Sequence, residues 1–140
     1  MATDALMKAR LQAFCDDRGL AQLGDSFVNL VYSLAKTRYL GTPVGEKVPD
    51  RVLSEALGMS GLPAPARLKC GERGNIVEAA LACAWTRGAL TIDEAAAAVQ
   101  QSLSEMEFRS AALEREAAAR AFSGLLKSAM VKIQEAGAPG

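Results

Sequence analysis

Gly24-Asp25-Ser26-Phe27-Val28-Asn29-Leu30-Val31 and, further along, Gly74-Asn75-Ile76-Val77-Glu78-Ala79-Ala80-Leu81 are the two stretches on which the reading of this chain turns. Each sets one carboxylate early in a segment that otherwise reads as a buried helix. An acid on an apolar helix face is costly unless it is paired, hydrogen-bonded or bound to a cation. Two such acids near helix starts are able to meet in the fold and hold one divalent ion. Asp25 and Asn29 stand at i and i+4, and Asn75 and Glu78 at i and i+3, so each helix offers a carboxylate and an amide on one face. A plainer role is open to both acids: Asp25 as a first-turn acid favoured by the helix dipole, Glu78 as a partly exposed helix residue.

Outward from these stretches the pattern is helical throughout. A first helix is predicted from Asp4 to Cys15, with Thr3 as N-cap and Leu6, Met7, Leu11 and Phe14 on its apolar stripe. Asp16-Asp17-Arg18-Gly19 reads as a break. The second helix runs from Leu20 to Tyr39 and, being apolar on more than one side, is expected to be central. Gly41 to Gly45 is a loop. A third helix starts at Asp50 and stops at Gly58, and Pro63-Ala64-Pro65 marks the next connection. A fourth, from Glu72 to Arg87, is almost wholly apolar between Ala79 and Trp85 and is the second central candidate. Thr91-Ile92-Asp93-Glu94 matches a capping box opening a fifth helix to Phe108. The last helix is predicted over Ala112–Ala136, followed by a frayed tail. No segment alternates with the period of a strand, so the fold class is all-α, a single domain over residues 1–140.

Composition narrows the chemistry. The 140 residues are 50% apolar with few aromatics and zero formal net charge, which favours close helix packing and argues against a uniformly cationic nucleic-acid binder. Charge is nonetheless uneven: Lys36, Arg38, Lys47, Arg51, Arg67, Lys69 and Arg73 outnumber Glu46, Asp50, Glu55 and Glu72 in one stretch. The chain has no histidine, which removes Ser-His-Asp and Cys-His catalysis and His-ligated zinc or iron. A metal here would be held by oxygen, pointing to Mg²⁺ or Mn²⁺. Cys15, Cys70 and Cys83 form no CxxC pair. Cys15 and Cys83 fit small buried residues in a reducing cytoplasm, with Cys70 more exposed. No signal peptide or membrane-spanning run is apparent, so the expected location is cytoplasmic.

Leu20-Ala21-Gln22-Leu23-Gly24-Asp25-Ser26-Phe27-Val28 resembles the signature of the ribonuclease III catalytic domain, whose usual form is Leu-Glu-Phe-Leu-Gly-Asp-Ala-Val. Asn75-Ile76-Val77-Glu78-Ala79-Ala80-Leu81 is similar to that family's second acidic motif, Asp-x-x-Glu-Ala-Leu-Ile-Gly. Val52-Leu53-Ser54-Glu55-Ala56-Leu57 resembles the intervening Leu-Ala-Glu-Leu helix. The resemblance covers Leu20 to Gly88. The chain departs from the pattern at Ala21, Gln22 and Asn75, and Arg18 stands where an upstream acid is usual. Compact bacterial relatives called Mini-III also carry Ala before the Gly-Asp and lack a double-stranded-RNA-binding domain. Mitochondrial ribosomal relatives have lost acids and act as structural subunits, and an archaeal branch has a similarly trimmed set.

The resemblance implies a metal-dependent endoribonuclease acting on double-stranded or structured RNA as a homodimer, with no double-stranded-RNA-binding domain. Asp25 and Glu78 would be catalytic and would hold Mg²⁺ or Mn²⁺ with Asn75. Asn29 and Glu55 would be secondary, and the basic residues from Lys36 to Arg73 would supply phosphate contacts. The alternative it also implies is a catalytically inactive RNA-binding or ribosome-assembly protein on the same fold.

Overall fold

The computed structural model describes residues 4–106 and 110–135, and these form six helices with no strand among the described residues. They are α1 (Asp4–Asp16), α2 (Arg18–Leu40), α3 (Asp50–Ser60), α4 (Cys70–Thr86), α5 (Ile92–Glu105) and α6 (Ala111–Glu135). The all-α expectation holds. The predicted Thr3 cap, the end of the fifth helix at Phe108, the end of the last at Ala136 and the tail after it lie outside the described residues.

Helix ends differ from the sequence reading where capping decides them. The Asp16–Gly19 break shrinks to one residue. Asp17 is the N-cap of α2, its carboxylate accepting from Leu20 N at 3.0 Å, so the helix starts at Arg18. α4 begins at Cys70 because Glu72 reaches back to Lys69 N at 2.9 Å. α3 runs through Gly58 to Ser60 and stops at Gly61, whose φ of 70° is a conformation glycine adopts freely. The Thr91–Glu94 capping box forms as read, with reciprocal bonds of 2.9 and 3.0 Å.

α2 and α4 form the most extensive helix pair, and α4 also touches α1, α3 and α6. Every residue of α4 from Ile76 to Ala84 is buried. Phe27 of α2 lies against Trp85 of α4, ring centroids 4.9 Å apart. α3 packs on α4 and α6, and α5 on α2 and α6, closing the core around Leu53, Leu57, Leu103, Phe122 and Leu126. Each such side chain contributes about 1.5–3 kcal/mol by leaving water. α1 is the thinnest contribution, with Leu11 its only buried residue and Leu6 exposed.

Candidate active site

The site is built at the crossing of α2 and α4, and glycine sets the crossing. A Cβ placed on Gly24 would fall 2.7 Å from Glu78 Cα and closer still to the Glu78 carbonyl. Any side chain at Gly24 would therefore force the helices apart. With none, the backbone of α2 rests directly on that of α4, and the next residue, Asp25, is brought against Glu78. The two carboxyl groups are brought to one cleft, near enough for Asp25 to shift the titration of Glu78. The plainer roles do not hold: Asp25 lies more than a turn inside α2 and so is not a first-turn acid, and Glu78 is buried within α4.

Glu78 is only 5% exposed, and no basic side chain pairs with it or with Asp25 among the described residues. Burial is the main force pushing its carboxyl up to about 8, followed by the hydrogen bond and charge of Asp25 and the charge of Asp50, against a smaller opposing pull from Lys47. Near neutral pH this favours the protonated form of Glu78.

Asp25 and Glu78 open into a cleft of about 550 Å³ lined also by Asn75, Asp50, Arg18 and Cys15. Asp50 was not singled out in the sequence, where it reads as an ordinary first-turn acid. Its carboxylate lies over Gly71 and Gly74, 3.7 and 3.6 Å from where their Cβ atoms would stand, at the N-terminal end of α4. The bare glycine face of α4 was the available signal. Even so, no group of three acidic or cysteine side chains is arranged to cage a metal among the described residues. The core of the site is a carboxylate pair, with Asn75 and Asp50 around it. Cys15 donates weakly to Glu72 O at 3.8 Å, and burial and neighbouring acids push its thiol up.

The remaining candidates divide. Asn29 Nδ2 donates to Asp25 Oδ1 at 3.3 Å, and its own oxygen accepts from Val48 N at 2.7 Å. Asn29 thus orients Asp25, and its oxygen is already engaged by the main chain. Glu55 is exposed and does not line the cleft. Lys36, expected to face phosphate, is 8% exposed and bonds Glu46 and Glu114 at 2.6 and 2.8 Å. Arg38 pairs with Asp93 at 2.9 Å on the surface. Arg73 ties α4 to α3 through Ser54 Oγ and O at 2.7 and 2.9 Å. Lys47, Arg51, Arg67 and Lys69 are exposed. No helix is long and apolar enough to cross a membrane among the described residues.

A family model described as Ribonuclease III matches residues 18–135, covering both acids, Asp50 and every helix but the first. No curated protein matches the chain. On the strength of that match the chain belongs to the ribonuclease III family.

Proposed function

We propose that this ribonuclease III family member is a divalent-metal-dependent endoribonuclease for double-stranded or structured RNA, working as a homodimer. The observation that carries the reading is the Asp25–Glu78 pair, in which buried Glu78 faces a like charge and neither acid has an ion-pair partner among the described residues. The donors are all oxygen, which suits Mg²⁺ or Mn²⁺, ions that keep several waters and need few protein ligands. Asp25 and Glu78 would hold the ion, with Asn75 beside them. When bound, such an ion supplies positive charge at the phosphate and acidifies water for attack.

The chain's own groups do the positioning. Asn29 fixes the Asp25 carboxylate, and Lys47 brings positive charge toward Glu78. Arg18, at the cleft, offers a cation to the RNA backbone. RNA would be read through phosphates, 2′-hydroxyls and A-form shape. Leu23 and Leu30, 38% and 50% exposed and two turns apart on one face of α2, support a second copy docking there. Each protomer would then cut one strand. The cysteines are all free, which accords with a cytoplasmic setting.

A second reading has one observation in its favour. The family's acids are absent at Ala21 and Asn75, and no three-acid cage stands in their place among the described residues. That favours a non-catalytic RNA-binding or assembly protein. Incubation of a long duplex RNA with the protein and Mg²⁺ or Mn²⁺ separates the two. Glu78-dependent cleavage supports the nuclease, whereas binding without cleavage under either ion replaces it with the second reading.

A further inference from the structure

A cavity of about 230 Å³ shares no residue with the acidic cleft and lies where the second half of α1 meets the start of α2 and the C-terminal ends of α4 and α6. Its walls are mostly apolar, built from Phe14, Leu20, Cys83 and Ile133. Two cations stand among them, Arg10 on α1 and Arg87 at the C-cap of α4. Arg87 is exposed and Arg10 is half-buried. Neither has an ion-pair partner among the described residues. Arg10 and Phe14 also lie before the stretch shared with the ribonuclease III family.

The decisive atom is Arg10 Nη1. It is shut off from solvent and donates to nothing among the described residues. A buried guanidinium N–H without an acceptor carries the whole cost of losing its water. One other side-chain donor among the described residues is in that condition, Gln134 Nε2, on the residue that follows Ile133. Both orphaned groups are donors, and both belong to residues at or beside this cavity. What this corner of the fold lacks is an acceptor. The walls decide of which kind. An inorganic anion would satisfy the arginines and leave the apolar surface bare. A neutral apolar molecule would cover the walls and leave Arg10 unpaired. A carboxylate on a short hydrocarbon body does both, and its two oxygens match the guanidinium fork. The volume, small for a ligand pocket, limits that body to a short chain.

We propose that this cavity binds a small organic acid, its carboxylate on Arg10 with exposed Arg87 beside it and its hydrocarbon against Phe14, Leu20, Cys83 and Ile133. The bound acid braces α1, which otherwise buries only Leu11. The site is independent of the RNA-cleaving reading given above.

Hexanoate is the probe, set against hexan-1-ol, which keeps the chain, and inorganic phosphate, which keeps the charge. Titration calorimetry of the full chain should show saturable binding of hexanoate, and an excess of it should raise Tm by about 2–5 °C. Amide exchange in α1 should slow when it binds. Hexan-1-ol and phosphate should each bind at least about tenfold more weakly. Arg10→Met should weaken hexanoate about tenfold or more, and Arg87→Met only about 2–3-fold, because that side chain is exposed. Arg10→Lys, which keeps the charge without the fork, should fall between wild type and Arg10→Met. Arg120→Gln, on α6 and paired with Glu116 at 3.3 Å, should change nothing. Arg10→Met removes an orphaned donor, so its Tm without hexanoate should hold or rise. Equal binding of hexan-1-ol makes the cavity an apolar hole, and equal binding of phosphate makes it a plain anion site. Full binding by Arg10→Met puts the acid elsewhere. Each of these overturns the proposal, as does a wild type that binds no hexanoate. None of them touches RNA cleavage, so the nuclease reading stands or falls on its own test.

Discussion

Helix α2 carries two sets of buried charge, and they are settled in opposite ways. Toward its C-terminal end, Lys36 is enclosed with Glu46, Glu114 and the Tyr32 hydroxyl, so every charge meets an opposite one inside the protein. Three turns earlier, Asp25 is set against Glu78, a like charge, with no cation ion-paired to either among the described residues. The first arrangement is complete as folded and joins α2 to α6 and the loop between α2 and α3. The second is left short of positive charge, which pushes the Glu78 carboxyl upward. Buried charge that serves architecture comes with its partner, and on the proposed nuclease reading the acid pair takes its partner from outside.

The sharpest way to break this contrast is at Glu78. Glu78→Gln keeps the shape but cannot match a carboxylate toward a hard cation. Cleavage of duplex RNA in Mg²⁺ should fall by about 10²–10³, by analogy with other transition-state electrostatic groups. The melting temperature of the metal-free protein should hold or rise, because one of two repelling groups is gone. A Gln variant that cuts as fast as wild type, or melts well below it, puts Glu78 in the architectural class. Lys36→Met is the opposite probe. It strands Glu114 and Glu46, and urea unfolding should show a loss of about 2–3 kcal/mol, below the full penalty for a buried pair because Glu46 keeps contact with water. An unchanged urea midpoint would mean that Lys36 is not what holds the network.

The third probe is pH. Glu78 titrates higher in the folded than in the unfolded chain, so between its ordinary value and about 8 the native state binds the extra proton. Stability of the metal-free protein should then be full at the acidic end of that window and should fall as pH rises through it. Calorimetry with a chelator from about pH 5 to about pH 8 measures the slope, and Glu78→Gln should flatten it. Saturating Mg²⁺ should flatten it as well, by taking the place of the proton. The smallest effect belongs to Arg38→Ala, which removes an exposed pair with Asp93 and should shift stability by less than about 1 kcal/mol.

What could be read from the sequence follows the range of the forces involved. The Thr91–Glu94 box and the apolar run of α4 are local, and both form as read. Asp25 and Glu78 were legible because each is an anomaly within its own helix. Asp17 as a cap was misjudged as part of a break, since a helix start and a chain break use the same residues. Lys36 looked like one more basic surface residue, because Glu46 and Glu114 reach it only through the tertiary fold. Asp50 was hidden for the same reason: the glycine face it lies over belongs to α4.

The missing side chain at Gly24 has a consequence for how this protein can change over time. Because main chain meets main chain there, the separation of the two helix backbones beside the acids is set by their direct contact and not by the bulk of interchangeable apolar residues. The alanines and valines around the crossing are then free to drift, provided total volume is kept. A lineage can rewrite most of its interior and pass on the same spacing between Asp25 and Glu78, so long as it never gives position 24 a methyl group.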